Sequence, residues 1–170
     1  MQFCEILTAH QVSVAGEQEG VVATKAEALL RLATLLAAGV STGVNGRELR
    51  GPSGPTEEIA RVLVERERLQ STGVGGGVAI PHGVLEGAER QVGAVLLCPR
   101  SIDFEAIDGA PVSILCAVIG PTRATGEHLK MLARISRLLR DAGFRERLLA
   151  ARNGKVAFEM IVAEERRGVS

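Results

Sequence analysis

At 170 residues, with 46% in the hydrophobic class and 24% charged, the chain has the size and composition of one globular domain, not of a disordered segment or a coiled coil. Twenty basic against twenty acidic side chains leave no net charge, which speaks against a nucleic-acid partner held by phosphate neutralisation and against bulk attraction to a membrane. Cys4, Cys98 and Cys116 have no paired spacing, and the chain shows neither a leader pattern nor eighteen consecutive apolar residues, so the expectation is a reducing, cytoplasmic setting without stable membrane insertion.

Val12 and Val14 alternate as in a short strand. A helix is predicted over 25–38: Thr24 caps it, Glu27 follows at capping-box spacing, and Ala26, Leu29, Leu30, Ala33 and Leu36 recur at helical spacing, with Gly39 placed to end it. Residues 39–55, rich in Gly, Ser and Pro, read as a surface loop. A second helix is expected from Thr56 to about Leu69, with Ile59, Val62, Leu63, Arg66 and Leu69 facing inward and Glu65 and Glu67 on its solvated side. The glycines at 73, 75, 76 and 77 should interrupt regular structure ahead of Val78-Ala79-Ile80-Pro81-His82-Gly83. Val92–Cys98 and Val112–Ile119 have strand character, and Asp108-Gly109 reads as a turn.

The final third is helical. Thr125 is placed to cap a helix carrying His128, Met131, Leu132, Ile135, Leu138 and Leu139, and shorter helices follow near 144–151 and 155–165. Helices, strands and helices in that order make an α/β or α+β domain. From residue 121 onward there are eleven basic and six acidic side chains, so the neutral total covers a basic C-terminal end and an acidic remainder that can orient a protein partner.

Chemistry needing imidazole has three candidates: His10, His82 and His128. His82 follows Pro81, which fixes the local backbone, and precedes Gly83, so little side-chain bulk blocks its ring. The plain alternative is a turn histidine. His128 sits in the first turn of a helix, where an anion is favoured over an imidazolium and a neutral ring can donate one hydrogen bond to a phosphoryl or carboxylate oxygen; the alternative is a half-buried core histidine. Arg66 on an apolar stripe either emerges beside an anion or stretches to water. Together, two histidines and one arginine at element ends suit a phosphoryl group. The glycine string lacks the Lys-Ser or Lys-Thr of a nucleotide loop. Thr72 and Gly83 are candidate phosphoryl contacts, and a structural turn explains Thr72 equally well. Cys98 and Cys116 have no second ligand at short spacing, and although Asp103, Glu105 and Asp108 could form a carboxylate cluster, strand alternation and turn chemistry account for them, so no metal and no cofactor is expected.

On these residues the sequence resembles the IIA component of the phosphoenolpyruvate-dependent phosphotransferase system, in its fructose/mannitol and nitrogen-related superfamily. The matching segments are Leu63-Val64-Glu65-Arg66-Glu67-Arg68-Leu69-Gln70-Ser71-Thr72-Gly73-Val74-Gly75, Val78-Ala79-Ile80-Pro81-His82-Gly83, Ile102-Asp103-Phe104-Glu105-Ala106-Ile107-Asp108-Gly109 and Glu127-His128-Leu129-Lys130-Met131-Leu132. The resemblance implies a three-layer α/β/α sandwich with a mixed β-sheet over residues 1–163, followed by a tail at 164–170. It implies that His82 is phosphorylated, with the counterparts of His128 and Arg66 beside it. It further implies a histidine-phosphorylatable donor protein upstream and either a regulatory target or a IIB component downstream, with a stand-alone nitrogen-related regulator preferred. A sugar-specific IIA component and a non-catalytic interaction domain are the alternatives. Two departures stand out: Gly76 occupies a position where the nitrogen-related pattern often has Asn, and the 39–55 loop is long.

Overall fold

The computed structural model describes residues 1–40 and 55–168. The elements are β1 (Val12–Val14), α1 (Lys25–Gly39), α2 (Pro55–Leu69), β2 (Gly73–Gly75), β3 (Val78–Ala79), β4 (His82–Val84), β5 (Val92–Ile102), β6 (Val112–Gly120), α3 (Thr125–Leu138), α4 (Ala142–Leu149) and α5 (Gly154–Arg167), preceded by two short 3-10 turns. Most of the predicted 39–55 loop lies outside the described residues. The last helix continues across residue 163 to Arg167. Among the described residues no helix is long and apolar enough to cross a membrane.

One mixed sheet runs β1-β5-β6-β3-β2, with β4 also on β6. The pairs β1–β5, β3–β6 and β4–β6 are parallel; β5–β6 and β2–β3 are antiparallel. Because side chains alternate along a strand, β5 and β6 serve both faces. Ala94, Leu96, Cys98, Leu115, Ala117 and Ile119 pack with α1 and α2. Val95, Leu97, Ile114, Cys116 and Val118 pack with Phe3 and residues of α3, α4 and α5. This is the three-layer α/β/α sandwich expected. Both strand cysteines are buried and free, and burial pushes the Cys98 thiol up to about 11, as for small core side chains.

The glycine-rich stretch departs from expectation. β2 and β3 form a hairpin whose turn residues, Gly76 and Gly77, have φ of 66° and 79°. Two successive positive φ values suit the twist of a tight hairpin, and glycine takes them without strain. Position 76 therefore sits at a turn near Arg145, so its missing side chain does not come from the wall of the cleft described below.

The helix faces are rotated from the predicted stripes. In α1 the buried residues are Ala28, Leu29, Leu32, Ala33 and Leu36, whereas Leu30 is exposed. Thr24 caps the helix by accepting from the Glu27 N–H. Gly39 is its last residue, and a Cβ there would strike Gln11 and Val92, so close packing is what demands glycine. Ala124, without a side-chain bond, occupies the cap position of α3 that was expected for Thr125.

In α2 the buried line is Ile59, Leu63 and Glu67, and Leu69 is exposed. Glu67 is thus not on a solvated face. Its carboxylate accepts from the Thr72 N–H at 3.1 Å and the Thr72 hydroxyl at 2.5 Å, and meets Lys25 Nζ at 3.0 Å. Lys25 also lies 4.7 Å from the centre of the Phe104 ring. Burial alone would raise the Glu67 pKa, but bonds from Thr72, Lys25 and Ser71 hold it below the usual glutamate value. These bonds tie α1, α2 and the start of the hairpin together. Glu67→Ala leaves the buried Thr72 N–H without an acceptor, so the expected loss is about 2 kcal/mol, or a Tm lower by roughly 4–8 °C. Thermal unfolding followed by circular dichroism measures it, and an unchanged midpoint would exclude a structural role for the carboxylate.

Candidate functional site

The chain from Val78 to Val84 runs alongside β6 with one interruption. Ile80 donates its N–H to the Thr72 carbonyl, while the Pro81 carbonyl accepts from the Val118 N–H at 3.0 Å. Pro81 has no N–H to offer and fixes its own φ. The Ile80 carbonyl is thereby available to the His82 ring, whose Nδ1 lies 2.7 Å from it. A carbonyl oxygen only accepts, so Nδ1 carries the proton and the neutral ring keeps its lone pair on Nε2.

His82 resumes pairing in register with Val118, and Gly83 with Ile119. A Cβ on Gly83 would come within 2.4 Å of Val62 Cγ1, so glycine lets α2 approach the strand that carries His82. The half-buried His128, in the first turn of α3, places its ring centre 5.5 Å from that of His82 with the planes inclined at 53°. Arg66, near the end of α2, is anchored by Nη1 donating to the Gln70 carbonyl at 3.0 Å. These three side chains, with Gly83, border one open cleft of about 730 Å³, whose rim includes Leu69, Val84 and Thr122.

Of the sequence candidates, His82, His128, Arg66 and Gly83 are brought together. Thr72 is not among the cleft-lining residues: it is buried, and its hydroxyl donates to Glu67. Among the described residues no cluster of His, Cys, Asp and Glu has the arrangement to hold a metal ion.

Burial, with a smaller contribution from the Arg66 charge, lowers the His82 pKa below the ordinary 6.5, against opposing effects of the Ile80 carbonyl and Glu67. Burial and then the neighbouring His82 lower that of His128. Both rings are therefore neutral at pH 7, the state a nitrogen nucleophile requires. The unfolded chain binds more protons than the native one between the depressed pKa values and 6.5. Stability from these groups is present above that window and falls as pH drops through it. NMR titration should give midpoints below 6.5 for both rings, with unfolding midpoints declining as pH falls below 6.5; a midpoint at or above 6.5 would contradict the burial argument.

A family model described as "Phosphoenolpyruvate-dependent sugar phosphotransferase system, EIIA 2" matches residues 21–164. The nitrogen regulatory protein of Pseudomonas aeruginosa is 41% identical over 116 residues, 68% of this chain and 74% of that protein. The fructose-specific EIIA component of Haloferax volcanii is 34% identical over 102 residues, 60% of this chain and 66% of that protein. The crystal structure of nitrogen regulatory protein IIA-Ntr from Neisseria meningitidis superposes with a TM-score of 0.76 at 28% identity, covering 93% of this chain and 97% of that one.

Proposed function

Because the chain belongs to the phosphoenolpyruvate-dependent sugar phosphotransferase system EIIA 2 family and is a IIA-type phosphotransfer domain resembling the nitrogen-regulatory IIA proteins, we propose that it is a phosphohistidine carrier whose Nε2 of His82 takes a phosphoryl group from a phosphorylated histidine of a donor protein. One observation carries this reading: the Ile80 carbonyl holds the Nδ1 proton of His82, which leaves the Nε2 lone pair in a cleft shared with Arg66 and His128.

In the transfer, Nε2 attacks phosphorus as the donor nitrogen–phosphorus bond breaks, and the electron pair of that bond stays on the donor imidazole. The chemistry consists of positioning and charge compensation, since the phosphoryl group moves between two nitrogens of similar basicity. The Arg66 guanidinium faces the equatorial oxygens and His128 supplies a hydrogen bond to one of them. The exposed Leu69 and Val84 give the rim of the cleft apolar surface for transient contact with a partner. No nucleotide or metal takes part.

Regulation is the preferred role, on the likeness to nitrogen regulatory proteins, and the cytoplasm, where phosphorylated donor proteins act, is the setting it requires. The likeness to a fructose-specific EIIA component supports transfer to a IIB component as the second reading. Reconstitution with phosphorylated donor decides between them. Onward transfer to a sugar-specific IIB identifies a transport role. A phosphorylated chain that passes nothing to IIB, yet binds a regulatory protein in only one of its two states, identifies regulation.

A further inference from the structure

Among the described residues, three buried side-chain nitrogen and oxygen atoms lack a hydrogen-bond partner: Oε1 of Gln91 and both ring nitrogens of His128. They are neighbours. Gln91 is 6% exposed and immediately precedes β5, where Val92 pairs with Ile119. A Cβ placed on Gly120 would lie 3.2 Å from Gln91 Cγ and 3.6 Å from His128 Nδ1. The absence of a side chain at Gly120 therefore lets the glutamine and the imidazole pack against the same point of β6.

Buried polar atoms are rarely left unpaired. With Nδ1 of His128 and the Gln91 side chain both against Gly120, a side-chain rotation or one bridging water joins them. We infer that Gln91 is a positioning residue for His128: its side-chain carbonyl accepts the Nδ1 proton, directly or through one water, and leaves Nε2 bare, to take a second proton and donate it to the phosphoryl group when that group arrives. The inference rests on the reading that His82 carries that group.

The arrangement repeats what Ile80 does for His82. A carbonyl cannot donate, so it selects the Nδ1–H form, whereas an unconstrained neutral histidine favours the proton on Nε2. On its cleft side His128 meets His82 and shares the walls with Arg66. On the other side, Gln91 borders a cavity with Glu127 and Lys130. Before transfer, burial and the α3 N-terminus keep the ring neutral. A phosphoryl dianion seated on His82 reverses the local charge, and His128 takes a second proton from solvent on Nε2, where it donates to a phosphoryl oxygen. The resulting imidazolium is then bonded at both nitrogens, to the Gln91 carbonyl and to the phosphoryl group. Like Ile80 and Gln70, which orient His82 and Arg66, Gln91 lies outside the cleft wall.

The test reads the ring directly, with the protein unphosphorylated and no donor present. Nitrogen-15 NMR of wild-type protein at neutral pH should show the His128 proton on Nδ1. Gln91→Leu should move it to Nε2, and Gln91→Glu, which retains an acceptor, should keep it on Nδ1; Gln91→Met replaces the leucine variant if that one does not fold. The rate of phosphoryl acceptance by the leucine or methionine variant should fall about tenfold, the effect of one lost hydrogen bond. A His128 tautomer indifferent to residue 91, or a tautomer shift with an unchanged acceptance rate, overturns the proposal. Wild-type protein that accepts no phosphoryl group overturns the functional reading, and the role of Gln91 in transfer with it, a failure separable from the others because the tautomer is measured without a donor.

Discussion

His82→Ala is expected to give a folded protein that takes up no phosphoryl group from a phosphorylated histidine donor. The side chain is half-buried, and its strand is held by backbone pairing with β6 that alanine retains, so thermal unfolding should change little. The chemistry is lost entirely because alanine has no lone pair to attack phosphorus. Wild-type protein gains about 80 Da, the mass of one phosphoryl group, as a label stable in base and lost in acid. Full labelling of the alanine variant, with native stability, would remove His82 from its assigned role.

Arg66→Ala should leave the nucleophile in place and slow acceptance by about 10²–10³-fold, the range for deleting one preorganised donor to developing charge. The phosphoryl group carries close to two negative charges at pH 7, and Arg66 borders the same cleft as His82, with its guanidinium fixed by the Gln70 carbonyl. Arg66→Lys should recover part of the rate, because the charge survives while the planar fork does not. A second readout needs no donor. The Arg66 charge helps keep the His82 pKa low, so its removal should raise the titration midpoint of His82. Unaltered labelling kinetics together with an unaltered midpoint would show that the guanidinium does not act on the site.

How much of this was legible in the sequence follows from the range of each signal. Strands β5 and β6 are continuous apolar runs, a pattern local enough to read directly, and both proved longer than their apolar cores. Pro81 and Gly83 marked His82 because their backbone effects are local as well. The convergence of Arg66, His82 and His128 depends on packing between α2, β4 and α3, which residue spacing alone left open and the family resemblance supplied.

Ile59, Leu63 and Glu67 are spaced four apart and form one buried line along α2, whereas the predicted stripe passes through Arg66 and Leu69. A charged residue continuing an apolar line was the available clue to a buried carboxylate. Its partners, Lys25 and Thr72, come from other elements. Gln91 carried no local signal at all: its importance arises only where β5 and β6 bring it beside Gly120 and, through that glycine, beside His128.

The most direct test of the central claim is to incubate unaltered protein with the phosphorylated donor and locate the new bond by phosphorus-31 and nitrogen-15 NMR. The predicted product has a single phosphoryl group bonded to Nε2 of His82, with the Nδ1 proton still held by the Ile80 carbonyl. A group on Nδ1 of that ring, on His10 or His128, or no transfer at all, would contradict it.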